Sequence, residues 1–263
     1  MSIPTLVTDG RRRAVRYVWI VVAFTATAAV VVELVVGFGS LGWGRFVGAD
    51  YRIYMEAATR WLSGGSYFLP HQLGGPYDLQ IGDVLYPPVA LWLFVPFSFL
   101  PSILWCAVPA TICAAALWRL RPALWAWAFM AVLLVDPLAL EITVSCNPLI
   151  WFVAIGFAAA AGWVPGSLAL FKPSLFPFTF LGIRRRSWWL GVALLALLSL
   201  PFLSLTLTWV RVVLDMNGRG GLFYSAGEYA YALIPIVAWA GSPLRSRSET
   251  AAARTRMESR ERP

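Results

Sequence analysis

Residues 17–38 read YVWIVVAFTATAAVVVELVVGF, and Glu33 is the one charged side chain among them. A helix rises about 1.5 Å per residue, so about 20 apolar residues cross the hydrocarbon of a bilayer. This run is long enough, and a soluble domain would have no water-facing stripe to offer along it. Arg11, Arg12, Arg13 and Arg16 precede the run, as expected of a cytoplasmic flank. The stretch is too long for the apolar part of a cleaved signal and ends in no small-x-small site. It therefore reads as a retained signal anchor with the N-terminus in the cytoplasm.

Further apolar runs fall at Leu85–Leu100, Ser102–Trp118, Leu124–Leu140, Pro148–Trp163, Val164–Gly182, Trp188–Trp209 and Phe223–Ala240. Hydrophobic residues are 59% of 263 positions and charged ones 13%, with a mean hydropathy of +0.70. Soluble domains carry roughly 25% charged residues, because water must wet their surface. The expected fold is an all-α polytopic membrane helix bundle of about seven to nine spans. Several runs are short, which predicts tilted or broken helices. About eight crossings return both termini to the cytoplasm but leave Arg119 and Arg121 outside. A re-entrant hairpin over 162–184, with Lys172 at its outer tip, is the alternative for that region. Prolines 96, 109, 137, 165, 177, 201 and 235 lie inside the runs, where each removes a helical hydrogen bond.

The organisation follows: a basic N-terminus over 1–16, one membrane domain over 17–241 with a first extracytoplasmic loop over 39–84, and a basic, disordered tail over 242–263. The net charge is +8, and Lys172 is the one lysine among 21 basic residues. The arginines cluster at the ends of apolar runs, which is membrane topology rather than nucleic-acid binding. Cys106, Cys113 and Cys146 are odd in number and lack metal-ligand spacing, so they read as small packing residues.

The first loop carries the chemistry. In residues 48–65, Tyr51, Tyr54, Met55, Ala58, Trp61 and Leu62 recur at helical spacing and make one face apolar. Arg52, Glu56 and Arg60 oppose them as i,i+4 pairs, and Gly64-Gly65 ends the helix. The segment reads as an amphipathic juxtamembrane helix on the outer surface. Asp50 opens it. As an N-cap its carboxylate would bond the Ile53 amide; at a cavity mouth it would serve as general base to a hydroxyl. The two roles are compatible. His71, the one histidine, has no evident acidic partner in the sequence and reads as incidental or as an acid–base group. Lys172 either snorkels to an interface or holds a phosphate. Glu33 is costly where it lies unless protonated, paired or near the interface. Asn147, before the run at 148–163, suits a cap.

These residues fall in a recognisable order: Asp50-Tyr51, Tyr54, Ala57-Ala58, Leu62, Gly64-Gly65, then Tyr86-Pro87-Pro88 opening a run that ends in Leu100-Pro101, then Asn147 and Lys172-Pro173. The series resembles glycosyltransferase family 87 of the GT-C superfamily over roughly residues 48–189, although Val144-Ser145-Cys146-Asn147 stands where members show Gly-Gln-x-Asn. The resemblance implies a multi-span hexosyltransferase in a bacterial plasma membrane, moving mannose from a polyprenyl-phosphate donor to a lipid or glycan acceptor with inversion. It implies Asp50 as general base, Lys172, Arg52 and Arg60 on the donor phosphate, and Tyr54, His71, Tyr86 and Asn147 around sugar and acceptor. It implies no metal and no cofactor besides the donor lipid. Members are longer, which leaves this chain as a minimal enzyme, a degenerate relative or a fragment of a split gene, the last calling for a partner subunit that supplies the missing C-terminal helices. A degenerate, non-catalytic subunit and a small-molecule transporter are the competing readings, and the absence of an internal repeat disfavours the transporter.

Overall fold

The computed structural model describes residues 3–40, 42–180, 182–217 and 228–243, and among them the chain is helical without a β-strand. The helices are α1 (Ile3–Gly39), α2 (Ala49–Leu62), α3 (Leu91–Ser98), α4 (Ile103–Leu120), α5 (Leu124–Leu134), α6 (Pro137–Val144), α7 (Leu149–Ala160), α8 (Arg186–Ser199), α9 (Leu203–Leu214) and α10 (Tyr229–Ala240). Three stretches are long and apolar enough to cross a membrane: Ala14–Gly39, Ile103–Leu120 and Arg186–Leu214, the last joining α8 and α9. α5 and α6 make a fourth if the pair, bent by 79°, counts as one span. The bend falls at Pro137, which has no amide to donate, and Asp136 caps the new helix by accepting from the Leu138 amide at 2.9 Å. The protein is a helical membrane protein. Most of the tail at 242–263 lies outside the described residues.

Two of the expected spans fold differently. Residues 88–98 form a 3-10 turn and the eight-residue α3, which runs antiparallel to α2. The Tyr51 hydroxyl donates to the Phe97 carbonyl at 3.4 Å near one end, and Trp61 and Trp92 both pack on Phe202 near the other. The reason lies in α2, whose apolar face needs a cover. Tyr54, Met55, Ala57 and Ala58 are buried there, so that face meets protein rather than the membrane interface expected from the sequence. The stretch at 164–182 turns back on itself through 3-10 helices at Gly166–Phe171 and Pro173–Phe180. Prolines 165, 173 and 177 interrupt α-helical bonding in it. Both its arms meet the start of α8: Ser167 Oγ donates to the Trp188 carbonyl at 2.6 Å, and Trp188 Nε1 to the Thr179 carbonyl at 2.6 Å. Lys172 sits between the two 3-10 helices, where the stretch turns back.

The element ends sort into two levels. At one, Arg119 Nε donates to the Ala161 carbonyl at 2.9 Å, Ser242 Oγ to the Leu120 carbonyl at 2.6 Å, and the Ala123 amide to the Gly241 carbonyl at 2.9 Å. The ends of α4, α7 and α10 therefore meet there with the starts of α5 and α8, and Arg119, Arg121 and Arg184–Arg186 gather with them. At the opposite level lie the starts of α2, α4, α7 and α10. A correction concerns sulfur: Cys106 at the start of α4 is disulfide-bonded to Cys146 between α6 and α7, their Cα atoms 6.4 Å apart, while Cys113 is free. Three cysteines leave room for one bond and one thiol, and the packing of helix ends decides which pair meets.

Candidate functional site

A cavity of about 300 Å³ opens at the level where α2, α7 and α10 begin, with Asp50, Tyr54, Asp83, Tyr86, Glu141, Asn147, Lys172 and Glu228 in its wall. Asp50 is placed by the first turn of α2, and the cap is not Asp50 but Gly48, whose φ of 67° admits glycine without the clash a Cβ would bring. The carboxylate is thereby released from capping. Its Oδ2 accepts instead from Ser145 Oγ at 2.9 Å and Asn147 Nδ2 at 2.6 Å. Among the described residues Oδ1 accepts no hydrogen bond, so a carboxylate fixed through one oxygen stands in the cavity wall with the other unengaged.

Asn147 links Asp50 to the rest of the site. Its Oδ1 accepts from the Leu149 amide at 2.9 Å and from the Tyr86 hydroxyl at 3.0 Å. The Leu149 amide can only donate, which fixes the side-chain amide orientation and turns Nδ2 towards Asp50. Tyr86 in turn accepts from Lys172 Nζ at 3.2 Å, and Nζ lies 4.6 Å from the centre of its ring. Lys172 also forms an ion pair with Glu228 at the start of α10. The result is one connected line, Asp50–Asn147–Tyr86–Lys172–Glu228, crossing the cavity wall. Lys172 is 1% exposed; an ammonium so buried needs a counter-charge, and Glu228 supplies it.

The remaining sequence candidates fall outside this line. His71 bonds through Nε2 to Asp83 Oδ1 at 2.7 Å, against the expectation that it has no acidic partner, and Asp83 Oδ2 accepts from the Gln80 amide at 2.7 Å. His71 thus holds a cavity wall residue without lining the cavity itself. Arg52 donates from Nη1 to the Val47 carbonyl at 3.0 Å. Arg60 donates from Nε to the Ser66 carbonyl at 2.7 Å and from Nη2 to the Tyr67 carbonyl at 2.9 Å. Both arginines brace the ends of α2 and neither is among the cavity residues. Glu33, partly buried on α1, also lies outside it. Near the cavity, burial raises the Tyr77 phenol above its ordinary value, with Asp83 and Asp215 adding to the shift.

Sequence reasoning missed Ser145, Asp83, Glu141 and Glu228. Glu141 carried a legible signal, because Leu140-Glu141-Ile142 puts an acid between apolar neighbours as Glu33 is placed. Ser145 carried none, since its partner is 95 residues away. The chain matches no protein-family model, no curated protein and no solved structure.

Proposed function

We propose that this membrane protein is a glycosyltransferase of GT-C type, resembling family 87, that moves a hexose, mannose by that resemblance, from a polyprenyl-phosphate donor to a hydroxyl of a lipid or glycan. The observation that carries the reading is the Asp50 carboxylate, anchored through Oδ2 by Ser145 and Asn147 in the wall of the cavity that Lys172 also lines. In this reading Oδ1 takes the proton from the acceptor hydroxyl as its oxygen forms the bond to the sugar C1. The C1–phosphate bond breaks on the opposite face, inverting the carbon, and the polyprenyl phosphate leaves with the bonding electrons. In the same reading Lys172 is the cation that favours that departure, with Glu228 its counter-charge until phosphate takes over the role. Tyr54 and Tyr86 offer aromatic walls to the sugar, and Glu141 an acceptor for its hydroxyls.

The same reading sets the protein in a bacterial plasma membrane with the cavity outward and both termini cytoplasmic. The arginines at the opposite level support this orientation. So does the disulfide at the cavity level, since such bonds persist on the oxidising side. The reading takes about six crossings, made by α1, α4, α5–α6, α7, α8–α9 and α10, with the hairpin at 166–180 dipping in from the cytoplasmic side. That is fewer than apolar run lengths suggest, because residues 85–100 stay outward and 164–182 return. It moves Arg119 and Arg121 to the cytoplasmic face. α7 and α10 are short for a bilayer, and local thinning accommodates them.

The test is transfer of radiolabelled mannose from polyprenyl-phosphate mannose, by the purified chain in nanodiscs with extracted membrane acceptors. Wild type should transfer label and a well-folded Asp50→Asn should lose it. Equal transfer by the two would remove Asp50 from the chemistry, and no transfer by either would overturn the enzyme reading.

A further inference from the structure

We propose that the Cys106–Cys146 disulfide is a positioning device for Asp50, acting through the turn that carries the carboxylate's hydrogen-bond donors. The proposal rests on the cavity being a catalytic site, and its test separates the two. Residues 144–147 form the seat on which the start of α2 rests. The Val144 carbonyl accepts from the Gly48 amide at 3.0 Å, and the Ser145 carbonyl from the amides of Asp50 and Tyr51 at 3.1 and 3.3 Å. The Ser145 hydroxyl and the Asn147 amide then hold the Asp50 carboxylate. Both backbone and side chain of Asp50 are therefore set by this one turn.

Cys146 lies between the two donors. Its φ of 54° is in the left-handed region, where a Cβ crowds the backbone and only surrounding structure holds a non-glycine residue. That surrounding structure is α4. Cys106 bonds the Cys146 sulfur, and its neighbour Trp105 donates from Nε1 to the Cys146 carbonyl at 2.8 Å. Trp105 is itself fully buried, so the grip comes from a fixed point of the core. With the disulfide opened, the turn loses its covalent tie to α4 and keeps the indole bond, and Ser145 and Asn147 would sample positions away from Asp50. Catalytic groups need positioning to within about half an ångström, so a small drift of the turn suffices.

The test uses the full chain in nanodiscs with Cys113→Ser, so that only the paired sulfurs can react with iodoacetamide. Unreduced protein should take up no label on Cys106 or Cys146. Dithiothreitol passes two electrons and two protons to the pair, gives back two thiols and leaves as its own cyclic disulfide, after which both sites alkylate. Assayed before alkylation, the reduced enzyme should show kcat lower by about tenfold or more with donor KM little changed. Oxidised glutathione should restore kcat, and Cys106→Ser with Cys146→Ser should mimic the reduced enzyme and ignore dithiothreitol. Alkylation of both sulfurs without reduction, or a kcat unchanged by reduction, or a loss carried by KM instead, overturns the proposal. If the unreduced enzyme transfers no sugar, only the catalytic reading falls. The unfolding midpoint then decides: reduction should lower it more in the chain with Asp50 than in Asp50→Asn, and equal shifts refute the link.

Discussion

Replacing Glu228 with glutamine removes the counter-charge of an ammonium that is 1% exposed, while the Glu228 side chain itself keeps 20% exposure. Breaking a buried pair from one side costs about 3–5 kcal/mol, because the other charge stays in a poor dielectric. Glutamine still offers an acceptor oxygen, and the Tyr86 hydroxyl and ring remain beside Nζ. The lower end, about 3 kcal/mol, is therefore expected for Glu228→Gln. Adding Lys172→Met removes the stranded charge and fills the space with a side chain of similar length. The double variant should recover to within about 1 kcal/mol of wild type. The assay is unfolding in mixed micelles by titration with dodecyl sulfate, followed by tryptophan fluorescence, with sugar transfer measured on the same samples. Stability should return in the double variant while transfer stays lost, since the cation for the leaving phosphate is gone. A double variant as unstable as Glu228→Gln would refute the reasoning that the pair is a matter of charge balance.

Other outcomes follow from the same geometry. Asn147→Ala strips one donor from Asp50 and one acceptor from Tyr86; transfer should fall by about 1.5–3 kcal/mol in kcat/KM, read from initial rates. Because burial raises the Tyr77 phenol above 10.0, its folded form holds the proton longer than the unfolded chain does. Its contribution is thus fully present below about pH 10 and lost as pH rises through the raised value. Unfolding free energy should decline there, and Tyr77→Phe should flatten the decline. A Cβ added at Gly191 would meet Pro165 Cβ at 2.9 Å and come closer still to Ser167 Oγ. Gly191→Val should therefore loosen the hairpin from α8 and cost about 1–3 kcal/mol in the same unfolding titration.

The class of this protein was written in its sequence because partition into a bilayer depends on composition and run length, which are local. The same holds for α2: the spacing of Tyr51, Tyr54, Met55 and Ala58 announced an amphipathic helix, and it formed over Ala49–Leu62. Asp50 and Lys172 were legible as costly charges beside apolar runs. Which surface covered the apolar face of α2 was not legible, because lipid and α3 are equally apolar partners. The roles of Arg52 and Arg60 depended on where the Val47, Ser66 and Tyr67 carbonyls came to lie. The cap of α2 passed to Gly48 because Ser145 and Asn147, far along the chain, took the Asp50 carboxylate. Likewise the Cys106–Cys146 bond and the Lys172–Glu228 pair each join residues that no spacing rule connects. Sequence determined which residues must find partners, since an uncompensated charge or an apolar face is costly wherever it lies. Only the tertiary structure chose the partners, because that choice depends on which helix ends meet at the same depth.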